Sequence, residues 1–104
     1  MRVLVDYEGR RIRLSDERYS HILEHPEMAR IPEAIGEVLT YPDRVVESVG
    51  DPRVRLYYRL YERTMVGRKH VCVVVKLGRN DAFVLTAYLT DRVKRGVLLW
   101  PSEN

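Results

Sequence analysis

His21-Ile22-Leu23-Glu24-His25 puts two imidazoles and a carboxylate within one helical turn. The spacing matches the H-x-x-E-H pattern in which two histidines hold zinc and a glutamate moves a proton. Such a site also needs a third protein ligand from another element and a substrate cleft, for which 104 residues leave little room. Pro26, moreover, bends the chain at the second histidine. A surface or helix-capping role for one of the two histidines fits better, and no metal ligand is assigned.

A second constellation combines His21 or His25 with Arg59, Lys76, Thr86 and Tyr88. Cleaving RNA without a metal requires a group that takes the 2′-hydroxyl proton, one that protonates the leaving 5′-oxygen, and fixed cations or donors around the phosphorus. In that chemistry His21 or His25 moves the proton, Lys76 faces the phosphorane, and Thr86 with Tyr88 positions the phosphate; no cofactor is called for. The same residues also read as a helix histidine, solvated strand charges and ordinary β-formers. A third reading makes Tyr57, Tyr58, Tyr61 and Tyr88, interleaved with Arg55 and Arg59, a stacking platform that binds single-stranded nucleic acid without cutting it. Tyr58 is out of phase with Tyr57 and Tyr61 and is expected in the core.

The elements that must position these groups follow from period and punctuation. Arg2 to Asp6 and Arg11 to Leu14 read as a hairpin turning at Glu8-Gly9. Ser15 is an N-cap candidate followed by Asp16 and Glu17, so a helix runs over 15–25. Ile31, Ala34, Ile35, Val38 and Leu39 repeat at helical spacing and predict a second helix over 32–40. The period then falls to 2. Strands are expected over Arg44 to Val49, Val54 to Tyr61, His70 to Leu77 and Ala82 to Thr90. The continuous apolar run Val71 to Val75 marks the central strand.

The expected fold is α+β in the order ββααββββ, with two N-terminal helices packed on one face of a curved antiparallel sheet, the face of Val71, Val73 and Val75. The other face is then solvated, filled by the tail, or used. The alternation in 54–61 assigns Arg55, Tyr57 and Arg59 to that second face, with Lys76. Residues 91–95 add Arg92, Lys94 and Arg95 beside Thr90 before Val97 to Trp100 returns to apolar sequence.

Charge distribution points the same way. The net charge is +3, but residues 1–50 carry 7 Lys and Arg against 10 Asp and Glu, whereas residues 51–104 carry 11 against 5. Fifteen of the 18 basic residues are Arg, which suits bidentate phosphate or carboxylate binding and equally suits an Arg-rich genome composition. RNA contacts are accordingly expected at Arg55, Tyr57, Arg59, Thr90, Arg92 and Lys94. The single cysteine, Cys72, leaves no disulfide framework and reads as a small buried hydrophobe. No apolar run approaches the ~20 residues needed to span a bilayer, and the default is one cytoplasmic domain over 1–104 with no membrane partner.

The order Leu14 to Met28, with His25-Pro26-Glu27, then Tyr41-Pro42-Asp43, Tyr57-Tyr58, Val73 to Lys76, Phe83 to Thr90 with its Thr86-Ala87-Tyr88, Lys94-Arg95-Gly96 and Trp100, resembles the phage-type barnase/EndoU/colicin/RelE-like (BECR fold) nuclease family. The resemblance implies a metal-independent ribonuclease in a toxin-like or phage-associated setting, with an antitoxin protein as its partner. Carried over by position, it points to His21 and His25, to Lys76, and to Thr86, Tyr88 and Thr90. The alternative function is an RNA-binding or RNA-processing accessory module on the same basic face.

Overall fold

The structure, a computed structural model, describes residues 1–102. Ten elements follow one another: β1 (Arg2–Val5), β2 (Arg11–Leu14), α1 (Asp16–Ile22), α2 (Pro26–Ala29), α3 (Ala34–Thr40), β3 (Arg44–Ser48), β4 (Val54–Thr64), β5 (Gly67–Gly78), β6 (Asp81–Thr90) and β7 (Gly96–Trp100). They form a seven-stranded sheet in the order β1-β2-β6-β5-β4-β3-β7, with β5 at its centre.

This architecture corrects the expected fold. The sheet is mixed, because β2 and β6 pair in parallel at Arg13 and Phe83. The helices carry the chain from β2 to the far side of the sheet. The meander β3 to β6 then walks back one strand at a time until β6 lies beside β2. Five strands follow the helices, since Gly96–Trp100 pairs antiparallel with β3. There are three helices because Pro26, which stops α1, also suits the first turn of a new helix, with His25 extended at its N-cap. Ser15 caps α1 as its side chain predicts, accepting the Arg18 amide at 3.1 Å.

The helices pack on the sheet face of Val71, Val73 and Val75. Ile22, Met28, Ala34, Ile35, Val38 and Leu39 share one buried cluster with those valines, Ile12, Leu14 and Tyr57. Register decides what joins them. Tyr57 pairs with Val73, Arg59 with Val71 and Arg55 with Val75, so Arg55, Tyr57 and Arg59 lie on the helix side, opposite to the expected assignment. Their polar heads are tolerated there because the chain brings partners over. Asp6, 2% exposed, accepts from Tyr57 Oη at 2.6 Å, from the Arg10 guanidinium at 3.0 Å and from the amides of Glu8 and Arg10. Arg55 reaches Glu8 at 3.1 Å, Arg59 donates to the Tyr41 carbonyl at 2.6 Å and Tyr61 to Glu37 at 2.6 Å.

The opposite face carries a smaller apolar cluster of Val46, Leu56, Tyr58 and Cys72, with Val74, Tyr88 and Val93 against it. Val93 belongs to residues 91–95, which cross this face from β6 to β7. The crossover lies over Tyr58 as a strap, with the Lys94 amide on the Tyr58 hydroxyl.

Candidate site on the strapped sheet face

His70 is the imidazole of this face. It stands in phase with Cys72, Val74 and Lys76 on β5, and pairs across β6 with Thr90, while Cys72 pairs with Tyr88 and Val74 with Thr86. Directly paired residues have Cβ atoms ~5 Å apart and diagonal ones stand ~7–8 Å apart. His70, Thr90 and Tyr88 are thus neighbours on this face. The His70 ring lies edge-on to Tyr58, with centroids 6.3 Å apart. Its Nδ1 is buried without a hydrogen-bond partner among the described residues, which leaves Nε2 as the nitrogen a substrate reaches.

Beneath this patch Cys72 packs with Tyr58 and Tyr88. Burial pushes the thiol up to about 11, although the two hydroxyls and the Lys94 charge pull it down. Burial pushes Tyr58 up to about 12, with the Lys94 amide opposing and Cys72 adding. Tyr88 rises for the same reasons, burial first and Cys72 next. Both phenols therefore stay protonated at physiological pH and are not bases. The thiol is 0% exposed and neutral at physiological pH, so it packs and does not attack.

The strap forms one wall. Its start is held by the Lys69–Asp91 ion pair at 2.5 Å and by Thr90 Oγ1, which accepts the Arg92 amide and donates to its carbonyl, each at 3.2 Å. The Lys69 hydrogen bond and charge, with the Arg92 charge nearby, hold the Asp91 carboxyl below its ordinary range against the effect of burial. Farther on, the Lys94 amide donates to Tyr58 Oη at 3.1 Å, and its ammonium is near enough to act on Cys72. At the strap's end a side chain on Gly96 would collide with the Glu47 carbonyl and Val46. Glycine there lets β7 close on β3.

Comparison of the chain with protein-family models, with curated proteins and with solved structures gives no match in any of the three.

The residues singled out from the sequence divide by face. Thr86, Tyr88, Thr90 and Lys94 share this one, and Arg92 flanks it on the strap. His21 and His25 do not. His21 is exposed on α1 beside Glu24, at 3.3 Å, and His25 precedes α2, both on the helix side of the sheet. The groups expected to work together stand on opposite sides of it, and among the described residues no three His, Cys, Asp or Glu side chains gather as metal ligands. Lys76 is on the correct face but six residues from His70, ~20 Å along the strand, and is engaged by Asp51 at 3.2 Å. One phosphate does not touch both. Arg55, Tyr57 and Arg59 are on the helix side, so the expected patch of Arg55, Arg59, Lys76 and Lys94 does not form. The Tyr platform does not form either: Tyr57 is 0% and Tyr58 1% exposed, and Tyr61 is bound to Glu37.

His70 is missing from the residues that spacing singles out, yet the sequence carries a signal for it. If Val71, Val73 and Val75 face the helices, the alternation of a strand puts His70 on the other side.

Proposed function

We propose that the strapped face is a metal-independent ribonuclease site in which His70 moves the proton. The observation that carries this reading is the meeting of His70, Tyr88, Thr90 and the cationic strap on one side of the sheet. Histidine is the side chain whose ordinary pKa suits proton exchange near neutrality. His70 Nε2 accepts the proton of a 2′-hydroxyl, the freed oxygen attacks phosphorus, the bond to the 5′-oxygen breaks, and that oxygen takes a proton from water while the imidazolium returns its own to solvent. The products are a 2′,3′-cyclic phosphate and a 5′-hydroxyl. Lys94 and Arg92 balance the phosphorane charge, and Thr90 holds the strap that carries them. The resemblance to the barnase/EndoU/colicin/RelE-like nucleases supports the same chemistry, and with it RNA as substrate and an antitoxin-like protein as partner.

One observation favours a second reading, RNA binding without cleavage. Tyr58 and Tyr88 pack with Cys72, Val74 and Val93 in the apolar cluster of this face. Incubating the purified protein with total RNA in the presence of EDTA separates the two. Fragments ending in 2′,3′-cyclic phosphate support the ribonuclease; salt-sensitive binding without fragments supports the module; 3′-hydroxyl ends overturn the mechanism.

A further inference from the structure

A pocket of about 400 Å³ opens on the other side of β4, where the chain between α3 and β3 meets the last residue of β7. Its walls are Tyr7, Tyr41, Trp100, Pro42, Thr40 and Arg59. Three of these six are aromatic, and two are open to solvent: Tyr41 is 67% and Trp100 38% exposed. Exposing that much ring area around one cavity forgoes burial that the core would otherwise use. Two of the rings are held in place. Tyr7 and Trp100 meet at 5.2 Å with a 41° tilt, and the Trp100 indole donates to the Pro42 carbonyl at 3.2 Å. Arg59 is held too, donating through Nη1 to the Tyr41 carbonyl at 2.6 Å, with the Asp43 carboxylate 3.9 Å away. A guanidinium has five donors in a plane, and this hydrogen bond occupies one of them among the described residues.

Preset aromatic walls with a planar, partly unused donor array suit a flat heteroaromatic ring that stacks and accepts hydrogen bonds. The positive charge of Arg59 disfavours a cationic guest, the usual alternative for an aromatic cage. Unstacked nucleobases are recognised in this way, on aromatic rings and guanidinium planes. We infer that this pocket is a nucleobase subsite that takes one unstacked base of a single-stranded nucleic acid. The inference deepens the ribonuclease reading and rests on it for the identity of the longer ligand. It places base selection on Tyr41, Trp100 and Arg59, across the sheet from the proposed reaction centre.

Trp100 is the one tryptophan of the chain, so its fluorescence reports on this wall alone. Adenosine 5′-monophosphate should quench it saturably, and inorganic phosphate or ribose 5-phosphate should not. Tyr41→Ala removes an exposed ring and keeps the backbone carbonyl that holds Arg59, and should weaken the affinity read from the quench by about 5- to 150-fold, the loss of one base–aromatic stack. No quench, equal quench by ribose 5-phosphate, or an unchanged response in Tyr41→Ala overturns the inference. A labelled single-stranded RNA oligonucleotide separates this failure from that of the ribonuclease reading. Binding seen by anisotropy with silent Trp100 fluorescence overturns the subsite alone. Quenching by both the mononucleotide and the oligonucleotide, with oligonucleotide binding unaltered by Arg92→Gln with Lys94→Gln, supports the subsite and overturns the RNA reading of the strapped face.

Discussion

The Tyr58 hydroxyl accepts the Lys94 amide at 3.1 Å, so a side chain from the middle of β4 holds down a strap that begins on β6 and ends on β7. The same phenol lies against Cys72 and meets the His70 ring in a T-shaped contact. It links the buried cluster, the imidazole and the cationic wall of the proposed site.

Tyr58→Phe keeps the ring and deletes the acceptor. The variant should lose about 1 kcal/mol of stability, and the Lys94 amide should exchange its hydrogen faster than in the parent. Unchanged protection at Lys94 would mean that the strap is held by Val93 packing instead.

Gly96→Ala should be costlier than its single methyl suggests. The added carbon meets the Glu47 carbonyl and Val46, and because one of these is backbone, β7 must separate from β3. Lower thermal stability is expected, together with new exchange at the β3 edge. A thermal midpoint equal to that of the parent would contradict the close approach of β7 to β3.

Alkaline pH should destabilise the protein through the same cluster. The folded-state pKa of Cys72 is raised from 9.0 to about 11 and that of Tyr58 from 10.0 to about 12. The unfolded chain therefore gives up these protons first. Their stabilising contribution is complete below about pH 9 and is lost as pH rises toward 12. The Cys72 shift alone corresponds to a loss on the order of 2–3 kcal/mol. Urea midpoints measured from pH 8 to 11 should fall, and less so in Cys72→Ala; a flat profile in the parent would contradict a neutral, buried thiol.

Arg92→Gln with Lys94→Gln should weaken RNA binding similarly for all sequences and flatten its dependence on salt. The logarithmic slope falls by about 0.7 for each phosphate of a single strand that the protein no longer neutralises. Filter binding across a salt series measures it, and an unchanged slope would remove the strap from the interface.

Much of this arrangement is legible in single strands, and the rest lies in how strands pair. The valines at 71, 73 and 75 announce the helix side of β5, and by alternation they fix the side of His70. The phase of β4 is different. Its alternation separates Arg55, Tyr57, Arg59 and Tyr61 from Leu56, Tyr58 and Leu60, and polarity argues for turning the first set outward. That set faces inward because Asp6, Glu8, Tyr41 and Glu37 meet its polar heads from elsewhere in the chain, and no local pattern in β4 records those partners. Leu56 and Tyr58 can face the other way because Val93 covers them. The strand 96–100 is hard to read for a related reason: Val97-Leu98-Leu99-Trp100 has no alternation, and its pairing with β3 depends on a glycine that fits only against that neighbour.

The histidine comparison tests the central claim most directly. RNA cleavage rates in EDTA should fall by ~10²–10⁴ in His70→Ala with little change in RNA affinity. The double variant His21→Ala, His25→Ala should retain the parental rate, because both imidazoles lie across the sheet from Tyr88 and Thr90. Parental cleavage by His70→Ala, or loss of cleavage in the double variant alone, would contradict the assignment of the strapped face as the reaction centre.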